Sequence, residues 1–469
     1  MQFQPNYDSL QMHIVPDWFH DAKFGLMVVW GLFSVPAWAP TTGNLDEVAA
    51  ELGWETFFSR NPYAEWYLNS MRIDGSPTQA HHRSTYGDTF SYDDFAPLFH
   101  QAVEKWNPET WGDLFSDAGA KYIIFLTKHH DGFLLWNSAH PTPYKADYQT
   151  QRDIPAELGA ALRRRGIRLG LYYSGGLDWS FYHPVIHDQA SLFACVPQSG
   201  EYVAHADAHW RELIARYQPD VLWNDIAYPK GSDLAQLFAE YYNAHPEGVI
   251  NDRFAQEPPT VDPVTEDIVA PPPGAHYDFR TPEYTSYKQV MPFKWESTRG
   301  LGFSFSYNQN EGETHTLPAS ELIHTLIDVV SKNGNLLLSF GPMADGTIPP
   351  EQRDRLEQIG AWLKVNGEAI YSTRPWVRAD GETSDGLGIR FTHKGDALHA
   401  ITLGGITSPS LTLRGLRVHD GTTIQLLGHD APLAWTQDGD QVTVQMPESL
   451  TPAPAHTLKF TPAPISALP

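Results

Sequence analysis

Apolar runs of two to seven residues recur along the first three-quarters of the chain. They include Phe24–Trp30, Tyr122–Thr127, Leu169–Tyr173, Asp220–Trp223, Val249–Ile250 and Asn335–Phe340. The runs are almost continuous rather than alternating, which marks strands of a parallel sheet buried on both faces. Between them, apolar residues return with helical spacing: Trp210, Leu213, Ile214 and Tyr217, and again Ile323, Leu326, Ile327 and Val330. Repeated strand–helix units over this length predict an α/β fold. Six or more such units suit a closed (β/α)8-like TIM barrel better than an open sheet. The pattern changes after about Tyr371. Leu387–Thr392, Ala397–Leu403, Ser410–Leu413 and Gln441–Val444 are short and separated by Gly/Asp turns, as in an antiparallel β-sandwich. The expected division is a (β/α)8-like barrel over 1–370 and a C-terminal β-sandwich over 371–469. The Pro-rich, acidic stretch Gln256–Ala275 reads as a long excursion and not as an element. The tail from Thr451, where TPAP occurs twice, is expected to be extended or loosely held.

Composition narrows the function. With 32 Lys and Arg against 56 Asp and Glu, the net charge is −24, which argues against nucleic acid or an anionic membrane surface as partner. A lone cysteine, Cys195, excludes an internal disulfide. No apolar stretch is long enough to span a bilayer. No signal peptide is visible at the N-terminus, which fits a cytoplasmic protein or a mature secreted or periplasmic form. Aromatic residues make up 13% of the chain, a high share that needs an explanation.

In a parallel α/β barrel, chemistry sits at the C-terminal ends of the strands. Those ends read Trp30-Gly31, Lys128-His129-His130-Asp131, Tyr172-Tyr173-Ser174, Trp223-Asn224-Asp225 and Asn251-Asp252-Arg253. Arg280–Tyr284, Trp295-Glu296 and Phe303–Tyr307 follow. Nearly all pair an aromatic ring with a polar group, which suits a sugar: C–H faces stack on rings while hydroxyls need hydrogen-bond partners. Asp225 closes an apolar strand. It reads either as a helix N-cap or as the nucleophile of a retaining glycosidase, which needs a second carboxyl about 5 Å away. His129 and His130 read as sugar-gripping groups or as satisfied buried imidazoles. Neighbours on a strand point to opposite faces, so joint metal ligation is disfavoured and no metal or other cofactor is expected.

These motifs, in this order, resemble the α-L-fucosidases of glycoside hydrolase family 29. The resemblance runs through Trp18–Trp38, Asn61–Met71, Ala118–Ser138, Leu169–Ser180, Pro219–Asp225, Val249–Arg253, Asp278–Tyr284, Lys294–Glu311, Asn335–Pro349 and Asn366–Trp376. It implies a catalytic (β/α)8-like barrel with a β-sandwich, retention of configuration without a metal, and a fucosylated oligosaccharide or glycoconjugate as substrate. Homo-oligomerisation stays open. By the same resemblance Asp225 is the nucleophile. His129, His130, Tyr172, Trp223 and Arg253 line the sugar site, together with Trp30 at the end of the first strand. Tyr63, Glu65 and Trp66 belong to the segment closing over the sugar, and Phe305 packs near its methyl group. The acid/base position moves within the family; Glu283 in RTPEY is preferred to Glu296 in KWES.

One departure stands out. Where the family's first strand reads HWG, this chain reads Val29-Trp30-Gly31. An apolar group cannot replace a hydrogen bond to a sugar hydroxyl. The expectation is an exo-α-L-fucosidase, with two alternatives: a retaining α-L-glycosidase with altered C4 preference, for example for α-L-gluco-configured sugars, or a glycan-binding homologue without catalysis. The sandwich is expected to buttress the barrel rather than bind glycans.

Overall fold

The computed structural model describes residues 2–257, 260–261, 268–269 and 276–467. Seven parallel strands form the main sheet: β1 (Phe24–Val28), β2 (Tyr122–Lys128), β3 (Arg168–Ser174), β4 (Val221–Asp225), β5 (Val249–Ile250), β6 (Trp295–Gly300) and β7 (Gly334–Phe340). Their order is β5-β4-β3-β2-β1-β7-β6. The two edges are joined by the segment from Phe279 onward, through parallel bridges Asn251–Phe279 and Arg280–Trp295. The contact continues up β6, where Thr298 N–H donates to Pro282 O and Tyr284 N–H to Thr298 O. This stretch acts as the remaining stave of a TIM-like barrel.

Strands β1, β2, β4 and β7 are buried along their whole length, as continuous apolar runs require. Outside them pack α1 (Pro108–Asp117), α2 (Ile154–Arg163), α3 (Gly200–Tyr217), α4 (Leu234–Ala244), α5 (Ala319–Ser331) and α6 (Pro350–Asn366). Four of these helices start on side-chain caps: Asn107, Asp153, Ser199 and Asp233 each accept a backbone N–H from the first turn. The apolar stripe of α5, formed by Leu322, Ile323, Leu326, Ile327 and Val330, packs against the sheet.

Beyond the barrel, β8 (Arg374–Glu382), β9 (Gly388–Lys394), β10 (Ala397–Thr402), β11 (Ser410–Arg414), β12 (Thr423–Leu426), β13 (Pro432–Leu433), β14 (Trp435–Asp438), β15 (Gln441–Gln445) and β16 (Thr457–Thr461) form two antiparallel sheets. Their orders are β8-β9-β10-β16-β12-β13 and β11-β15-β14. Alternating inward residues such as Leu411, Leu413, Val442 and Val444 supply the core between them. Trp376 and Trp435 pack half-buried against this core.

The tail is not loose. β16 lies between β10 and β12, and Trp362 Nε1–H on α6 donates to Ala455 O at 2.9 Å. Thr457 Oγ1–H donates to Asn366 Oδ1 at 2.8 Å, and Arg390 Nε meets Asp328 Oδ1 at 2.5 Å, so the sandwich is tied to α5 and α6. Thr-Leu-Lys-Phe-Thr alternates as a strand, and that pattern outweighs the flanking prolines. The Gln256–Ala275 excursion lies largely outside the described residues; within it Thr260–Val261 and Ile268–Val269 pair antiparallel.

Gly360 lets α6 meet the end of α1: a Cβ there would lie 2.0 Å from Asp117 O. Helix propensity favours Ala by about 1 kcal/mol, but overpacking against backbone costs about 1–3 kcal/mol. Gly360→Ala is expected to lower the thermal midpoint. Gly200→Ala, at a position with open space around it, is expected not to. Thermal unfolding of both variants checks the sign.

Candidate active site

Asp225 is the last residue of β4, at the C-terminal mouth of the barrel, and only 8% exposed. It does not cap a helix; Asp233 caps α4 instead. Tyr172, near the end of β3, donates its hydroxyl to Asp225 Oδ2 at 2.7 Å. Oδ1 accepts from Arg253 Nη1 at 2.9 Å and from the N–H of Ile226 at 3.0 Å. His130 Nε2 stands 3.9 Å from Oδ2.

Arg253 reaches further. Its Nη2 lies 2.7 Å from Glu283 Oε1, so one guanidinium spans both carboxylates. Nη2 also donates to Thr281 O and Nε to Thr281 Oγ1, fixing the fork against the segment that carries Glu283. The guanidinium rests 4.7 Å above the Trp223 ring, which stacks on Tyr172 at 5.4 Å. Burial alone would lower the Arg253 pKa, but Glu283, Asp225 and Asp252 together raise it above the ordinary value. The Glu283 side chain is 25% exposed.

The histidine pair corrects the alternation argument. β2 ends at Lys128 after an irregularity in its pairing with β3, so His129 and His130 lie on the turn that follows. Their rings are 3.8 Å apart on the same side. Burial drives both pKa values well down, assisted by His130 and Lys128 for His129 and by Lys128 for His130. Both imidazoles are therefore neutral at neutral pH. His130 Nδ1 pairs with Ser174 Oγ at 2.6 Å, whereas His129 Nδ1 is buried without a hydrogen-bond partner among the described residues. Among the described residues, no group of three His, Cys or carboxylate side chains forms a metal cluster.

Trp66 packs edge-on against His130 at 5.1 Å, and Tyr63 against Phe305 at 5.2 Å. Glu65 is buried; its Oε2 accepts from Ser304 Oγ, Ser306 Oγ and Ser306 N–H, which leaves it holding the Phe305 loop. Burial raises its pKa, although the two serines oppose that shift.

Two of the expected residues fall outside this cluster. Trp30 is fully buried, packs on Phe99, Trp106 and Trp111, and donates its N–H to Met343 O. Strand alternation turns Trp30 outward to the helices and Val29 inward, on the side of Gly25, whose face is filled by the Tyr122 ring. Glu296, at the start of β6, has no exposure; Trp223 Nε1–H and Tyr122 O–H donate to its two oxygens at 3.0 and 2.5 Å. It supports Trp223 from below.

The strand-end rule also passed over Trp179, which packs on His130 and Trp66 at 5.5 and 5.6 Å. The buried Lys128–Asp178 pair, 2.8 Å apart, anchors its loop, and Trp179 N–H donates to His130 O. The signal was present in the Leu177-Asp178-Trp179-Ser180 stretch, but it lies beyond the strand end.

A family model described as "Alpha-L-fucosidase" matches residues 1–368, and one described as "Alpha-L-fucosidase C-terminal domain" matches 384–461. Human tissue alpha-L-fucosidase is 33% identical, with 98% of this chain and 92% of that protein aligned. Human plasma alpha-L-fucosidase is also 33% identical, over 95% of this chain and 89% of its own length. The crystal structure of Thermotoga maritima alpha-fucosidase with a mechanism-based inhibitor superposes with a TM-score of 0.86 at 41% identity, covering 98% of this chain and 100% of that one.

Burial pushes the Glu296 carboxyl up to about 7. A raised carboxyl pKa means that the folded state binds the proton more tightly than the unfolded chain. Its stabilising effect is therefore complete below about pH 4.5 and is lost as pH rises through about 7. Glu296→Gln cannot titrate. Its stability relative to the parent is expected to improve between those pH values, by on the order of 3 kcal/mol. Denaturation of both proteins across that pH range measures this difference.

Proposed function

Because this chain belongs to the α-L-fucosidase family of glycoside hydrolases, we propose that it releases terminal α-L-fucosyl residues by double displacement, with Asp225 as nucleophile and Glu283 as acid/base. The observation that carries this reading is the Arg253 fork holding both carboxylates. Retention requires two carboxyl groups about 5–5.5 Å apart, and a shared guanidinium favours a short separation. Asp225 is well supplied with donors for an ionised nucleophile. Glu283 is the more open of the two, as protonating a leaving oxygen and meeting water require.

The fork also gives the roles an electrostatic order. Before reaction, one guanidinium charge faces two carboxyls, so a proton is retained most easily on the pair. Attack by Asp225 on the anomeric carbon forms an ester and removes its charge, while Glu283 gives its proton to the departing oxygen. Arg253 then has Glu283 as its carboxylate partner and stabilises the ionised base that deprotonates water. Glu296 lacks these features: it is sealed from solvent and both its oxygens are engaged.

The neutral imidazoles of His129 and His130 suit sugar hydroxyls, and the Trp66, Tyr63 and Phe305 rings suit its apolar faces. The inward-facing Val29 favours a second reading of the glycone alone, in which the site discriminates weakly at C4.

Asp225→Asn is expected to reduce turnover of an aryl α-L-fucoside by about 10³-fold or more. Glu283→Ala should spare activated leaving groups and be rescued by azide with retained configuration; wild-type behaviour on a natural glycoside would exclude Glu283. Installing the missing donor as Val29→His is expected to raise kcat/KM on the fucoside about tenfold over its C4 epimer. Kinetics on the two aryl glycosides tests this.

A further inference from the structure

Asn224, between Trp223 and Asp225, has no exposed surface. Its side-chain Nδ2 donates to Ala227 O and to Arg253 O, both at 2.8 Å. One amide group thus joins the turn after Asp225 to the loop carrying Arg253. The main chain of Asn224 is locked in turn by Asn251, whose Oδ1 accepts the Asn224 N–H while its Nδ2 donates to Asn224 O.

The turn it holds is strained. Ile226 and Ala227 lie in the left-handed region at φ 50° and 69°, unfavourable for any residue with a Cβ and most of all for a β-branched one. That conformation aims the Ile226 N–H at Asp225 Oδ1. Gly176 passes so close that a Cβ would lie 1.3 Å from Ile226 O, and its N–H donates to Asp225 O. Such strain persists only where neighbouring bonds over-determine it.

We propose that Asn224 is a positioning residue for the reaction: its carboxamide keeps the strained Asp225–Ala227 turn and Arg253 in mutual register, so that the guanidinium spans the two carboxylates. The proposal rests on the roles given above to Asp225 and Glu283. Only a group with two donor hydrogens can serve both carbonyls, so aspartate, of the same shape, would turn a carboxylate oxygen toward them. The His129, Trp66 and Phe305 side chains are held by other contacts. Ground-state binding of the sugar therefore stays, while the geometry needed in the transition state degrades.

The test is steady-state kinetics of Asn224→Asp and Asn224→Ser on an aryl α-L-fucoside, with L-fucose affinity, active-site titration and thermal unfolding measured on the same samples. The expected result is a kcat at least about 30-fold lower per titrated site, with the larger loss in Asn224→Asp. KM and fucose affinity should stay within about threefold of the parent. Near-parental kcat in either variant would overturn the proposal. So would a loss of fucose affinity matching the loss of kcat, or activity that returns to normal once counted per folded site. Asp225→Asn is assayed alongside: if it remains active, the reading of the reaction fails, whatever Asn224 does.

Discussion

The site depends on one guanidinium. Arg253 arrives on the loop after the two-residue strand β5 and takes its direction from Thr281. From there it contacts Asp225 on one side, Glu283 on the other and the Trp223 face beneath. Three separate elements of the barrel therefore converge on a group whose planar donor fork tolerates little misalignment. Its charge is also what makes two adjacent carboxyls tolerable in a pocket that leaves Asp225 only 8% exposed.

The support below is layered. Glu296 and Tyr122 carry Trp223, which carries Arg253; Asn224 and Asn251 knit the ends of β4 and β5. On the opposite wall the buried Lys128–Asp178 pair fixes the loop of Trp179 against His130. Asp178, Asp225 and Asp252 are buried, while most of the excess of acids remains at the surface, where it places no demand on a neutral sugar. The aromatic excess has two destinations. One set of rings fills the layer between barrel and helices, as Trp30, Trp106 and Trp111 do, and another lines the mouth.

Much of this was legible in the sequence because buried parallel strands leave unbroken apolar runs. The staves that escaped are those that do not. β6 reads WESTRG, and its polar residues are accommodated by partners far away in the chain, as Glu296 is by Tyr122. The Phe279–Tyr284 stave is a series of backbone contacts with no hydrophobic signature. Strand ends pointed to Asp225, Tyr172 and Trp223, but the same rule selected Trp30, whose parity turns it away. It also set His129 and His130 on opposite faces, because the irregularity before Lys128 has no local signal. Nor does the sequence disclose that Arg253 would join two carboxylates 58 positions apart, as the numbers 225 and 283 show. That is a product of closure.

The sandwich carries a consequence for how the protein is made. Its larger sheet is bridged by β16, which pairs with β10 on one side and β12 on the other. Those neighbours are synthesised first, yet neither can complete its hydrogen bonding until residues 457–461 emerge. A chain leaving the ribosome therefore exposes two unfinished strand edges while the barrel behind it is already assembling, and such edges invite pairing with other chains. The link from Trp362 to Ala455 extends that delay into α6, so the barrel's outer layer gains this support only after residue 455 has been made.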